Sequence, residues 1–166
     1  MIEVFAADEQ SDEPVQTLRW VRLAQDVLTA EGIKGDAELS MLFVDETAIA
    51  DLNKRFRGEE SATDVLAFPI DEQIVESGRS PDSGGTGPGV NPPEPAEAPV
   101  MLGDVVLCPT VARRNAESRQ AAVDDEMALL VVHGVLHLLG MDHVDDDEAS
   151  TMQQRERDLL GRFHRQ

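Results

Sequence analysis

Apolar positions recur at three- and four-residue spacings in five stretches of the chain and alternate or run together in four others. The opening IEVF alternates as a short strand. After the polar stretch ADEQSDE, Pro14 introduces a helical pattern through about Ala30, with Leu18, Val21, Ala24 and Leu28 predicted on one inward face, Trp20 at its core margin and Gly32 as a stop. AELSMLFV then reads as a strand, and Asp45 caps a predicted helix from Glu46 to about Phe56 whose Ile49, Leu52 and Phe56 share a face. TDVLAFPI and VMLGDVVLC read as two further strands.

Between those last two strands the periodicity disappears. From Gly78 to Pro99, eleven of twenty-two residues are glycine or proline, too few apolar side chains to offset chain entropy, so the reading is a surface loop inserted at about 72–99. Insertions of this kind cost little, because closure entropy grows logarithmically with length. A polar helix follows Pro109 to about Gln120, and a strongly apolar one runs from near Asp124 to Gly140. Asp124, Asp125 and Glu126 fall in the first turn of that second helix, at the positive end of its dipole. Apolar residues ring it, which makes it the buried central element. An amphipathic segment from about Asp146 to Phe163 closes the chain, and the architecture suggested is a small sheet covered by helices.

The 166 residues suit one domain with one real core. A net charge of -19 opposes broad attraction to nucleic acid, although Lys54, Arg55 and Arg57 form one basic cluster and Arg113, Arg114 and Arg119 another, each readable as a solvated helix face. No stretch is long and apolar enough to span a membrane, and the first residues lack the pattern of a secretory leader. The single Cys108, within VVLCPT, reads as a small buried hydrophobe and suits a reducing cytoplasm.

Residues 133 to 143 read HGVLHLLGMDH. His133 and His137 stand one helical turn apart and about 40° apart around the axis, so both rings can converge on one point. Gly140 takes positive φ without steric cost, allowing a left-handed turn that returns His143 to the same place. Three imidazoles leave a fourth position on zinc for water, the open shell of a reactive site. One cation also satisfies three rings that would otherwise each need a hydrogen-bonding solution of their own. His164, near the C-terminus beside arginines, reads as a surface histidine. Gly134 costs about 1 kcal/mol inside a helix, so a substrate group or a neighbouring strand must approach the backbone there. The spacing matches the peptidase signature HExxHxxGxxH, but Gly134 replaces the glutamate that serves as general base.

HGVLHLLGMDH closely resembles the HGxLHLxGxDH signature of the bacterial YbeY endoribonuclease family, also called the rRNA maturation factor family. LNKRFRGEESATDVLAFP resembles that family's arginine-containing loop and following strand, and LGDVVLC its GDI strand. The resemblance implies an α/β fold, zinc-hydrolase-like, with a mixed, mainly parallel sheet of about four strands and about five helices, residues 1–166 forming one metal-dependent hydrolase domain. It also implies one Zn2+ held by His133, His137 and His143, and single-strand-specific cleavage of RNA in the cytoplasm. The process implied is maturation of the 3′ end of small-subunit (16S) rRNA and ribosome quality control, with ribosomal or assembly proteins as partners. Arg57 corresponds to the family's functional arginine, and its planar fork of donors suits a phosphate clamp. The alternative for Arg57 is an ion pair with Glu59 or Glu60. Asp142 either orients a ligand imidazole or caps the turn. Two other functions fit the same histidines: a metallopeptidase or other metal hydrolase, and a non-catalytic assembly factor with structural zinc.

Overall fold

The structure, a computed structural model, describes residues 1–70, 99–140 and 146–164. The glycine- and proline-rich insertion, Asp142 and His143 lie outside the described residues. The strands are β1 (Ile2–Asp8), β2 (Ala37–Phe43), β3 (Val65–Pro69) and β4 (Val100–Leu107). The helices are α1 (Thr17–Ala30), α2 (Glu46–Arg57), α3 (Pro109–Arg119), α4 (Val123–Leu138) and α5 (Asp146–Phe163). The sheet order is β1-β2-β4-β3, parallel from β1 through β4, with β3 antiparallel on the far edge. The expected α/β class with a mixed, mainly parallel sheet is therefore observed.

Strict alternation explains how β2 sits: Ala37, Leu39, Met41 and Phe43 are buried, while the residues between them are half-buried. That inner face meets α1, α4 and α5 in the main core, where Val131, Val132, Val135 and Leu136 of α4 are completely buried. The opposite face carries a smaller cluster of Val44, Ile49, Leu66, Val106, Cys108 and Val111 under α2. Cys108 is fully buried and its thiol is pushed up by desolvation, which fits an inert hydrophobe. Asp45 caps α2 as expected, accepting from the Ala48 amide at 2.8 Å, and Gly58 ends the helix in the left-handed region at φ 74°.

Four expectations need correction. The first strand runs on to Asp8, because parallel pairing with β2 carries it through residues whose side chains face solvent. On α1 the inward face is Trp20, Leu23, Ala24, Val27 and Leu28, with Trp20 fully inside the core. The indole sets that face, and Leu18, about 160° around the axis from it, is left exposed. Phe56 shares a stripe with Ile49, but the last turn of α2 runs off the core and leaves its ring 64 % exposed. His164 is no surface histidine: its ring packs near Trp20 and its Nε2 lies 2.8 Å from an Asp125 oxygen.

Candidate active site

Helix α4 delivers two of the three sequence-predicted ligands. His133 and His137 are half-buried, with ring planes 7° from parallel and centroids 6.1 Å apart, as an i, i+4 pair on one helix face requires. Both line a cavity of about 780 Å3 where the end of α2, β3, α4 and α5 meet. Past Leu138, Gly140 takes φ 100°, the left-handed turn expected of it. Among the described residues, no group of three or more His, Cys, Asp or Glu is arranged to hold a metal ion.

The approach that demands Gly134 comes from the sheet. A β-carbon at that position would sit 2.8 Å from Cγ1 of Val105 and 3.1 Å from Cγ2 of Val65, so two strands press against the helix backbone. This contact seats α4 close to the sheet and fixes the height at which its histidines meet the cavity. A longer side chain at 134 would be driven into the sheet.

Glu156, on α5, is the residue that sequence reasoning passed over. It is buried, and its carboxylate oxygens lie 3.2 and 3.4 Å from Nδ1 of His133. The hydrogen bond that His133 donates to Glu156 holds the imidazole above the usual histidine pKa, with burial opposing and the charges of Glu156 and Asp64 adding to it. A carboxylate on Nδ1 fixes ring orientation and tautomer, so that Nε2 is the nitrogen suited to coordination. The signal was present: Glu156 falls within the apolar stripe of α5 formed by Met152, Leu159 and Leu160, where a solvated glutamate does not belong.

Arg57 lines the same cavity from the end of α2. Its guanidinium lies 3.9 Å from Glu59, both side chains more than half exposed, which is the ion pair weighed against the phosphate role. Exposed pairs of this kind contribute about 0–1 kcal/mol, so an incoming phosphate can displace it. The rest of its cluster is similarly engaged, Lys54 with Glu60 and Arg55 with Asp51. In the second cluster, Arg113 pairs with Glu13 and Glu117, and Arg114 with Glu46. Arg119 instead reaches the cavity and pairs at 3.1 Å with Glu126.

Glu126 is only 3 % exposed and sits within about 20° of His133 and His137 on α4. Burial raises its carboxyl above the usual value, the nearby Asp64 adds to this, and Arg119 and Asn115 oppose it. The folded state therefore favours the protonated acid, and its contribution to stability is lost as pH rises through the folded value. Glu126→Gln removes the ionisation, so its Tm relative to wild type is expected to increase between about pH 4 and pH 7. Thermal melts of both proteins across that range check this, and a variant falling below wild type at the upper end would mean that the Arg119 pair outweighs desolvation.

Fold and site together define an α/β protein that presents two histidines, one of them backed by a carboxylate, and an arginine to one shared cavity. The chain belongs to the Endoribonuclease YbeY family, whose model matches residues 5–164. It is 42 % identical over 158 residues to Endoribonuclease YbeY of Frankia casuarinae, covering 95 % of this chain and 72 % of the relative. It is 43 % identical to the protein of that name from Salinispora tropica, over 86 % of this chain and 85 % of the relative. With the Thermobifida fusca relative of that name, identity is 41 % over 94 % and 91 % of the two chains. The solution structure of TM1509 from Thermotoga maritima matches with a TM-score of 0.54 at 23 % identity, over 98 % of this chain and 91 % of that one, a likeness of fold. Among the described residues no helix is long and apolar enough to cross a membrane.

Proposed function

We propose that this chain is a zinc-dependent endoribonuclease, selective for single-stranded RNA. Its proposed place is the cytoplasm, in maturation of the 3′ end of small-subunit (16S) rRNA and in ribosome quality control, alongside the ribosomal small subunit or its assembly proteins. The observation that carries the reading is the convergence of His133, His137 and Arg57 on one cavity in a chain whose relatives are named endoribonucleases.

The donor set fits a borderline divalent cation: imidazoles a turn apart, one of them oriented by a buried carboxylate. His133, His137 and His143 would hold it, and when bound it supplies Lewis acidity toward a phosphoryl oxygen and acidifies water. Glu156 keeps the His133 ring in register, and its charge is balanced when that nitrogen donates to it. Arg57 binds the phosphate through parallel N–H donors and offsets charge that builds on its oxygens during cleavage. Asp142 would orient a ligand imidazole or cap the turn. A chain with a net charge of -19 gains little from counterion release, so affinity rests on this local clamp and on a ribosomal partner.

Gly134 speaks against a peptidase, since its position has no room for the glutamate base of that signature. The test is zinc content and cleavage of single-stranded RNA, measured for wild type and Arg57→Ala. Cleavage is expected to fall about 100- to 1000-fold in the variant with zinc content unchanged. Wild-type cleavage at background would favour a non-catalytic assembly factor, and hydrolysis of casein but not RNA would favour a peptidase.

A further inference from the structure

Phe56 is a large apolar side chain that the last turn of α2 carries beyond the core. It precedes Arg57 directly, is 64 % exposed, and lines the cavity that contains His133 and His137. Its ring is nevertheless held in place: Phe68 of β3 meets it at 5.1 Å between centroids and 65° between planes. Phe68 is itself half-buried against the smaller core cluster. An edge-on contact of this kind supports a ring while leaving a π-face uncovered. Other exposed apolar residues, such as Phe5, Val100 and Met101, lie away from this cavity and need no explanation.

We propose that Phe56, braced by Phe68, is a stacking platform for an unpaired nucleobase of the substrate, one position along the chain from the arginine that binds its phosphate. The inference rests on the nuclease reading and deepens it. A nucleotide presents an anionic phosphate and a flat apolar base on one repeating unit. Adjacent Arg57 and Phe56, both lining one cavity, match those two chemistries. A base inside a duplex has both faces covered by its neighbours and cannot reach the ring, whereas a splayed single-stranded base can. Phe56 thereby gives the cavity a means of choosing single strands that owes nothing to net charge.

The test pairs kinetics with an optical readout that needs no metal. Phe56→Ala and Phe56→Leu, made in the full chain, are expected to raise KM for single-stranded RNA by about 5- to 150-fold, the equivalent of one lost stack. Binding of duplex RNA should be unchanged in both. Phe56→Tyr, which keeps a ring, is expected to recover most of the loss. Melting temperatures should stay near wild type because the ring is mostly in water. In parallel, Phe56→Trp in metal-free protein is titrated with oligoadenylate, the buried Trp20 serving as background, and quenching of the new indole is expected. Unaltered KM in Phe56→Ala, a leucine variant equal to wild type, or an indole that oligoadenylate does not quench would each overturn the platform. Absence of RNA cleavage by wild type would instead overturn the nuclease reading, and the quenching experiment would still decide whether Phe56 stacks on bases.

Discussion

Replacing His137 with alanine is expected to strip zinc from the protein and to lower cleavage of single-stranded RNA on the order of a thousandfold or more. That factor corresponds to the several kcal/mol by which a Lewis acid stabilises charge in a phosphoryl transition state. The fold should survive, because the imidazole is half-buried at the cavity wall and the helix beneath it is anchored by Val131, Val132, Val135 and Leu136. A second variant separates holding the metal from orienting its ligand. Glu156→Gln keeps size and burial but exchanges the anion facing His133 for a neutral amide, and it is expected to weaken zinc affinity about 10- to 100-fold. Cleavage by that variant should return when zinc is added in excess, whereas His137→Ala should stay inactive. Elemental analysis of dialysed protein beside RNA cleavage assays distinguishes the two. Full cleavage by rigorously metal-free wild type would refute the hydrolytic mechanism.

The parts of this site legible in the sequence are those fixed by helix geometry. Two histidines four residues apart on an apolar run must share a face, and a glycine inside that run must answer to something close, which proves to be Val105 and Val65. The pattern of elements reads as a small sheet covered by helices, while its mixed, mainly parallel class is what the family resemblance implies, and α4 is central because apolar residues surround it apart from the stripe of Glu126, His133 and His137. What the pattern does not carry is partnership across elements. Glu126 looks like a dipole-complementing carboxylate in a first turn until Arg119 and the wall of the cavity are seen beside it. Phe56 obeys the stripe of α2, but periodicity says only which side of a helix a residue occupies, not whether the core extends that far. His164 is judged exposed by its nearness to the C-terminus, whereas Trp20 and Asp125 hold the last turn of α5 against the body of the protein.

The largest expected effect on stability is at Gly103, far from any proposed ligand in chemistry but not in structure. It lies in β4 between β2 and β3, paired with Leu39 on one side and Pro69 on the other. Its φ of 134° is a conformation that residues with a β-carbon rarely adopt. A β-carbon there would lie 3.0 Å from Cα of Pro69 and 2.9 Å from Cδ1 of Leu138, and would collide with the carbonyl oxygen of Phe68. The leucine tip can yield, but the strand backbone cannot move without opening the β3–β4 ladder. Gly103→Ala is therefore expected to cost about 3 kcal/mol or more, combining backbone strain with overpacking. At this chain length that lowers Tm by roughly 6–12 °C. Gly35→Ala is the control, since its φ of 76° imposes strain while nothing lies within 4 Å of the added carbon. Equal losses in the two variants would mean that the close approach of β3 contributes nothing. A larger loss at Gly103 would identify that approach as what fixes β3 and the end of α4, and hence Phe68 and His137, against one another.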